Sequence, residues 1–129
     1  MKKEVIHIPG LPRPSSPYNH VVKAGNTLYL TSQLSCDLIE GKLLCGTIEE
    51  QTQRALENVK FLLERAGSSM DQILDVTVFM KNLDDFARMD AVYRQFFTPG
   101  EEPARVTVRA ESPIPGIEIE IKATALCNG

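Results

Sequence analysis

Two stretches toward the end of the chain alternate strictly in polarity. Arg105, Thr107 and Arg109 alternate with Val106, Val108 and Ala110, and Glu118, Glu120, Lys122 and Thr124 alternate with Ile117, Ile119, Ile121 and Ala123. A period of two puts each polar set on one face of a strand and each apolar set on the other. Two strands are therefore predicted within residues 101–126, joined by a proline-rich turn. The same period recurs where Leu74, Val76, Val78 and Met80 alternate with Asp75, Thr77 and Phe79, which predicts a strand over 74–80. Residues 19–23 and 27–33 read as a hairpin about Gly25-Asn26, and Glu40-Gly41-Lys42 as a further turn.

Between these strands the period lengthens. Ile48, Thr52, Ala55, Leu56, Val59, Leu62, Leu63 and Ala66 recur at spacings of three and four, with Thr47 and Glu50 ahead of them and Gly67 behind. That is one face of a helix, opened by a capping box and closed by a glycine stop. A second helix is predicted from Asn82 or Asp84 to just before Pro99-Gly100, with Phe86, Met89, Tyr93, Phe96 and Phe97 as its core stripe. The stretch PGLPRPSSPY, residues 9–18, reads as an irregular segment lying over the surface.

The order is strands, helix, strand, helix, strands. It defines an α+β class: one domain over residues 1–129, with a sheet covered by two helices on one face and open on the other. A helix between two strands signals a crossover connection. The apolar residues of the last two strands are expected to face the helices, which assigns Arg105 and Glu120 to the open face. Such a face is either wet or packed against a copy of itself. In the second case its enclosed charges need partners, and a ligand carboxylate is one such partner.

Composition narrows the function classes. The chain of 129 residues is 43% hydrophobic and 24% charged, the balance of an ordinary soluble domain. A chain of this size buries roughly two-thirds of its unfolded surface and needs no staples. The net charge of −3 argues against a nucleic-acid groove, and the sequence has no basic run interleaved with aromatics. The start, MKKEVIHIPG, holds too short an apolar stretch for a signal-peptide core, and no later segment approaches a membrane span. A cytoplasmic location is expected. Cys36, Cys45 and Cys127 show no metal-ligand spacing and are read as reduced thiols.

Several stretches together resemble the YjgF/RidA family. They are Pro103-Ala104-Arg105 followed by the IEIE segment and Ala123-Thr124-Ala125, Asn58-Val59-Lys60 with Ala66-Gly67-Ser68-Ser69 beyond, and residues 76–97. Ser16-Pro17-Tyr18 is similar to that family's early Gly-Pro-Tyr, and Thr31-Ser32-Gln33 to its Ser-Gly-Gln. The resemblance implies a chorismate-mutase-like mixed sheet assembled as a homotrimer. The open faces would form a central barrel, with the active sites in clefts between subunits. It further implies hydrolysis of reactive 2-enamine and 2-imine acids, of the 2-aminoacrylate/2-iminopropanoate type, to 2-keto acids and ammonia, with no metal or organic cofactor.

On this resemblance Arg105 is the carboxylate anchor, since its planar fork can take both oxygens of a 2-imino acid. Glu120 is the acid that would place the attacking water, with Glu118 two residues earlier as its rival. Tyr18 would line the cleft and hydrogen-bond substrate or water. Thr31, Ser32 and Thr107 complete the expected substrate contacts. Two positions depart from the family pattern: Thr107 stands where a cysteine is frequent, and Ser32 replaces a glycine, adding a Cβ and a hydroxyl where backbone would approach the ligand. His20, near Tyr18, has no family counterpart. Two other readings share the same anchor. One is a deaminase of a particular catabolic intermediate, such as an aminomuconate-type acid. The other is a carboxylate-binding regulatory protein without turnover.

Overall fold

The computed structural model describes residues 2–128. Eight strands and two α-helices run in the order β1 (Lys3–Ile6), β2 (Val21–Ala24), β3 (Thr27–Leu30), β4 (Cys36–Asp37), β5 (Lys42–Leu43), α1 (Ile48–Arg65), β6 (Ile73–Met80), α2 (Phe86–Tyr93), β7 (Ala104–Arg109) and β8 (Ile119–Leu126). Six strands form one mixed sheet in the order β1-β2-β3-β8-β6-β7, and β4 and β5 form a separate small hairpin. All neighbours in the large sheet are antiparallel except β6 and β7, which the α2 crossover makes parallel.

The long helix forms where the spacing requires it. The Thr47 side chain accepts from the Glu50 N–H, and the Glu50 carboxylate accepts from the Thr47 N–H at 2.9 Å, so two otherwise orphaned donors are satisfied. The predicted stripe is buried, with Ala55, Val59, Leu62 and Leu63 fully so. Opposite it lie Val76, Val78 and Met80 of β6 and Ile119, Ile121, Ala123 and Ala125 of β8 in one continuous core. Each leucine-sized side chain withdrawn from water there contributes about 1.5–3 kcal/mol.

Several expectations need correction. A first strand, β1, pairs with β2 through the short apolar N-terminal stretch, which the sequence pattern does not mark as a strand. A bulge between Ile73 and Asp75 shifts the β6 register, so Ile73 is buried and Leu74 turns outward. The second helix is not continuous. Short 3-10 turns at Leu83–Asp85 and Arg94–Phe96 flank the two turns of α2. Met89, Tyr93 and Phe97 of its stripe are buried and Phe96 is partly so, but Phe86 is exposed.

The largest correction concerns Arg105. Its Cα partner across the parallel pair is Val76, and those of Thr107 and Arg109 are Val78 and Met80. Partners in register point to the same side, so the polar set of β7 lies on the helix side and not on the open face. Val106 and Val108 take the open face and are exposed. On β8 the expectation holds: its isoleucines face the helices and Glu120 faces outward beside Phe79. The physical reason is position. β8 is central, so hydrophobic burial decides its orientation. β7 is the edge strand, and its arginine reaches Asp90 and Tyr93 of α2.

Candidate functional site

The open face carries a cavity of about 200 Å³ around Glu120, with Ser32, Ser112 and Phe79 in its wall and two further carboxylates, Glu111 and Glu118, at its lining. Glu120 reaches it because it lies on the outward parity of β8. Ser32 is brought alongside by an isolated bridge in which the backbones of Gln33 and Ile121 exchange hydrogen bonds of 2.7 and 2.8 Å. Ser112 arrives on the segment that leaves β7. There the Ile114 N–H donates to its Oγ, and buried Gln51 of α1 donates to the Gly116 carbonyl and accepts from the Glu118 N–H. Both carboxylate oxygens of Glu120 are engaged. Ser32 Oγ donates to Oε1 at 2.7 Å, and Ser112 Oγ donates to Oε2 at 2.5 Å.

Ser32 also lines a second, larger groove of about 450 Å³, together with Tyr18, His20 and Thr31. Tyr18 is exposed at its rim, in an edge-to-face contact with the His20 ring at 6.0 Å between centroids. Burial pushes the His20 imidazole below its ordinary pKa, which keeps it neutral near pH 7. Its Nδ1 is buried and has no hydrogen-bond partner among the described residues. The structure thus brings Tyr18, Thr31, Ser32 and Glu120 to neighbouring walls that meet at Ser32.

Arg105 is elsewhere, on the other face of the sheet and two strands away from Glu120. Its Nη1 donates to Asp90 Oδ1 at 2.7 Å, and the guanidinium carbon lies 4.6 Å from the centre of the Tyr93 ring and 5.4 Å from that of Phe86. Asp90 holds a second cation, Arg94, at 2.8 Å. The Arg105 hydrogen bond, chiefly, holds the Asp90 carboxyl below its ordinary pKa. Burial, opposed by the Arg105 charge, pushes the Tyr93 hydroxyl up to about 12. Thr107 is half-buried on the same side as Arg105.

Sequence reasoning missed Ser112, Gln51 and Asp90. Ser112 sits in a turn composition, and Gln51 looks like any polar helix residue. Asp90 carries one weak sign, an i,i+4 spacing to Arg94 that reads as an exposed ion pair. Among the described residues no group of three or more histidine, cysteine, aspartate or glutamate side chains is arranged to hold a metal ion. Nor is any described helix long and apolar enough to cross a membrane.

An α+β chain with a mixed six-stranded sheet, two helices and a carboxylate pocket on the uncovered face can be compared with known proteins. The family model described as Endoribonuclease L-PSP matches residues 10–127. A RutC family protein of Pyrococcus abyssi is 41% identical over 126 residues, which cover 97% of this chain and 98% of that protein. A protein of Dermatophagoides farinae named 2-iminobutanoate/2-iminopropanoate deaminase is 31% identical, over 94% of each chain. The crystal structure of RidA from the Antarctic bacterium Psychrobacter sp. superposes with a TM-score of 0.85 at 28% identity, covering 95% of this chain and 98% of that one. The chain belongs to the YjgF/RidA/RutC family.

Proposed function

We propose that this protein hydrolyses reactive 2-imino acids and their enamine tautomers to 2-keto acids and ammonia. The observation that carries the reading is the cavity at Glu120, where a carboxylate pinned by two hydroxyls shares a small space with Glu111 and Glu118. A carboxylate-lined pocket repels the acid end of such a substrate and attracts the other end, the protonated imine nitrogen. Water oriented by Glu120 adds to C2, and the proton it loses reaches nitrogen through that carboxylate. The C–N bond of the resulting carbinolamine then breaks as C=O forms, the hydroxyl proton passes to the Glu120 carboxylate, and ammonia leaves. General-base assistance of this kind contributes about 10²–10⁴-fold in rate.

The acid end needs a cation. Arg105 presents a guanidinium stacked on Tyr93, with Nη1 engaged by Asp90. Within one chain it faces away from Glu120, so the two ends of one small substrate are joined only when the Arg105 side of one copy meets the open face of another. The unpaired outer edge of β7 and the exposed Val106, Val108, Tyr29 and Leu126 suit such an assembly. A closed homotrimer with the sites at its subunit boundaries is the arrangement we favour. The family relative named a deaminase of 2-imino acids supports the same chemistry. The nuclease description of the family model is not favoured here: the net charge is −3 and the pocket is acidic, a poor bed for a polyanion.

The test couples a dehydratase that generates 2-iminopropanoate to a readout of 2-keto acid. Wild-type protein is expected to speed keto-acid release, and Arg105→Ala to abolish the acceleration. Glu120→Ala is expected to lower kcat by about 10²-fold while keto-acid binding persists. Acceleration that survives Arg105→Ala would rule out the anchor, and binding without turnover in the wild type would mean a carboxylate-binding protein.

A further inference from the structure

The geometry points to Ser32 and Ser112 as a two-point clamp that aims Glu120 at its water, with Ser32 also forming the boundary between the Glu120 cavity and the Tyr18 groove. This rests on the deaminase reading and adds to it two positioning residues that do not themselves touch the reacting atoms.

Three features carry it. First, the two hydroxyls donate to different oxygens of the same carboxylate, Ser32 to Oε1 and Ser112 to Oε2. A carboxylate held at one oxygen can still rotate about its last torsion, which is broad for glutamate. Held at both, its plane is fixed. Each oxygen retains a second lone pair, so a water can still be accepted.

Second, the direction of the Ser112 bond is determined. Its Oγ accepts from the Ile114 N–H at 3.2 Å, which leaves its own proton for Glu120. The segment bearing Ser112 is itself tied down by Gln51, which donates to the Gly46 and Gly116 carbonyls and accepts from the Glu118 N–H. Ser32 is fixed by the backbone bridge of its neighbour Gln33 to Ile121, the residue after Glu120. Both donors are thus mounted on elements pinned near β8, which is the condition for holding a catalytic group within a fraction of an ångström.

Third, Ser32 is the one residue of the clamp that lines both cavities. Its hydroxyl, drawn toward Glu120, stands at the boundary the two cavities share. A smaller residue there releases Oε1 and thins the wall between the two cavities; a larger one thickens it.

Steady-state kinetics with 2-iminopropanoate and with a longer-chain 2-imino acid, on Ser32→Ala, Ser112→Ala, the double variant and Ser112→Thr, tests the clamp. Each alanine is expected to lower kcat about three- to tenfold with KM little changed, and Ser112→Thr to restore most of it. Ser32→Ala is also expected to improve the longer substrate relative to the shorter. In a Glu120→Ala background Ser112→Ala should have no further effect on kcat. A crystal structure of the double variant should show the Glu120 carboxylate in more than one orientation. A full-size kcat loss from Ser112→Ala without Glu120, or unchanged kcat with a single ordered Glu120 in the double variant, overturns the clamp. An inactive wild type would sink the deaminase reading instead, and the order of the Glu120 carboxylate in the double variant would still judge the clamp.

Discussion

Tyr93 and Asp90 show how much one edge-strand arginine reorganises its surroundings. The Tyr93 hydroxyl is buried and reaches no partner at full hydrogen-bond geometry among the described residues, only a weak approach of the Arg105 guanidinium that its ring supports. An unsatisfied buried hydroxyl costs about 1–3 kcal/mol. Tyr93→Phe keeps the stacking surface and removes the cost, so it is expected to stabilise the protein by up to about 1 kcal/mol, read as a higher urea midpoint at unchanged slope. Asp90 contributes the opposite way. Its carboxyl is held below the ordinary value near 3.8, mainly by Arg105. A carboxyl whose folded pKa is depressed adds stability that is complete above its unfolded pKa and is lost as pH falls through the folded one. The stability difference between wild type and Asp90→Asn should therefore be largest above about pH 4 and close on acidification below it, in chemical denaturation at a series of pH values.

At the scale of elements, the parts of the chain that pack most deeply were the most legible. The α1 spacing and its capping box gave the helix to within a residue, because eight apolar or small positions and both cap partners all specify one face. Thr47→Ala should cost about 1 kcal/mol in the same denaturation assay. The parity of β8 was legible for the same reason. β7 has the same alternation, yet its faces are reversed, since alternation defines two sides without saying which one meets the helices. Burial decides that for a central strand, whereas at an edge a guanidinium reaching Asp90 and two aromatic rings decides it instead. Of the candidate site, Tyr18, Thr31, Ser32 and Glu120 were named from sequence and gather on adjoining walls. Ser112 and Gln51 act through contacts across 8 and 65–67 positions, which no local pattern encodes. Gln51 is 1% exposed, and Gln51→Ala strands a carbonyl and an N–H of the 116–118 segment. A loss of about 3 kcal/mol is expected, again by urea midpoint.

At the scale of the whole molecule, the placement of Arg105 and Glu120 on opposite sides of one sheet makes subunit mixing informative. If each site takes its guanidinium from one copy and its carboxylate from the next, Arg105→Ala and Glu120→Ala subunits unfolded and refolded together should regain about a quarter of wild-type turnover by random assembly into closed rings. Sites contained within single chains would regain nothing. Light scattering is expected to give about three times the 14.3 kDa of one chain, and Val106→Lys on the outer strand to shift it toward one. The sheet order carries one more consequence, for biosynthesis. β8 lies between β3 and β6, so the hairpin of β2 and β3 with β1 beside it, and the β6–β7 pair, touch through the sheet only once residues 119–126 have joined them. A nascent chain halted at residue 118 holds five of the six strands as two unconnected ribbons, each with a sticky margin. Closure of the sheet therefore waits for the last strand to emerge from the ribosome, and until then the margins of both ribbons stand open to other chains.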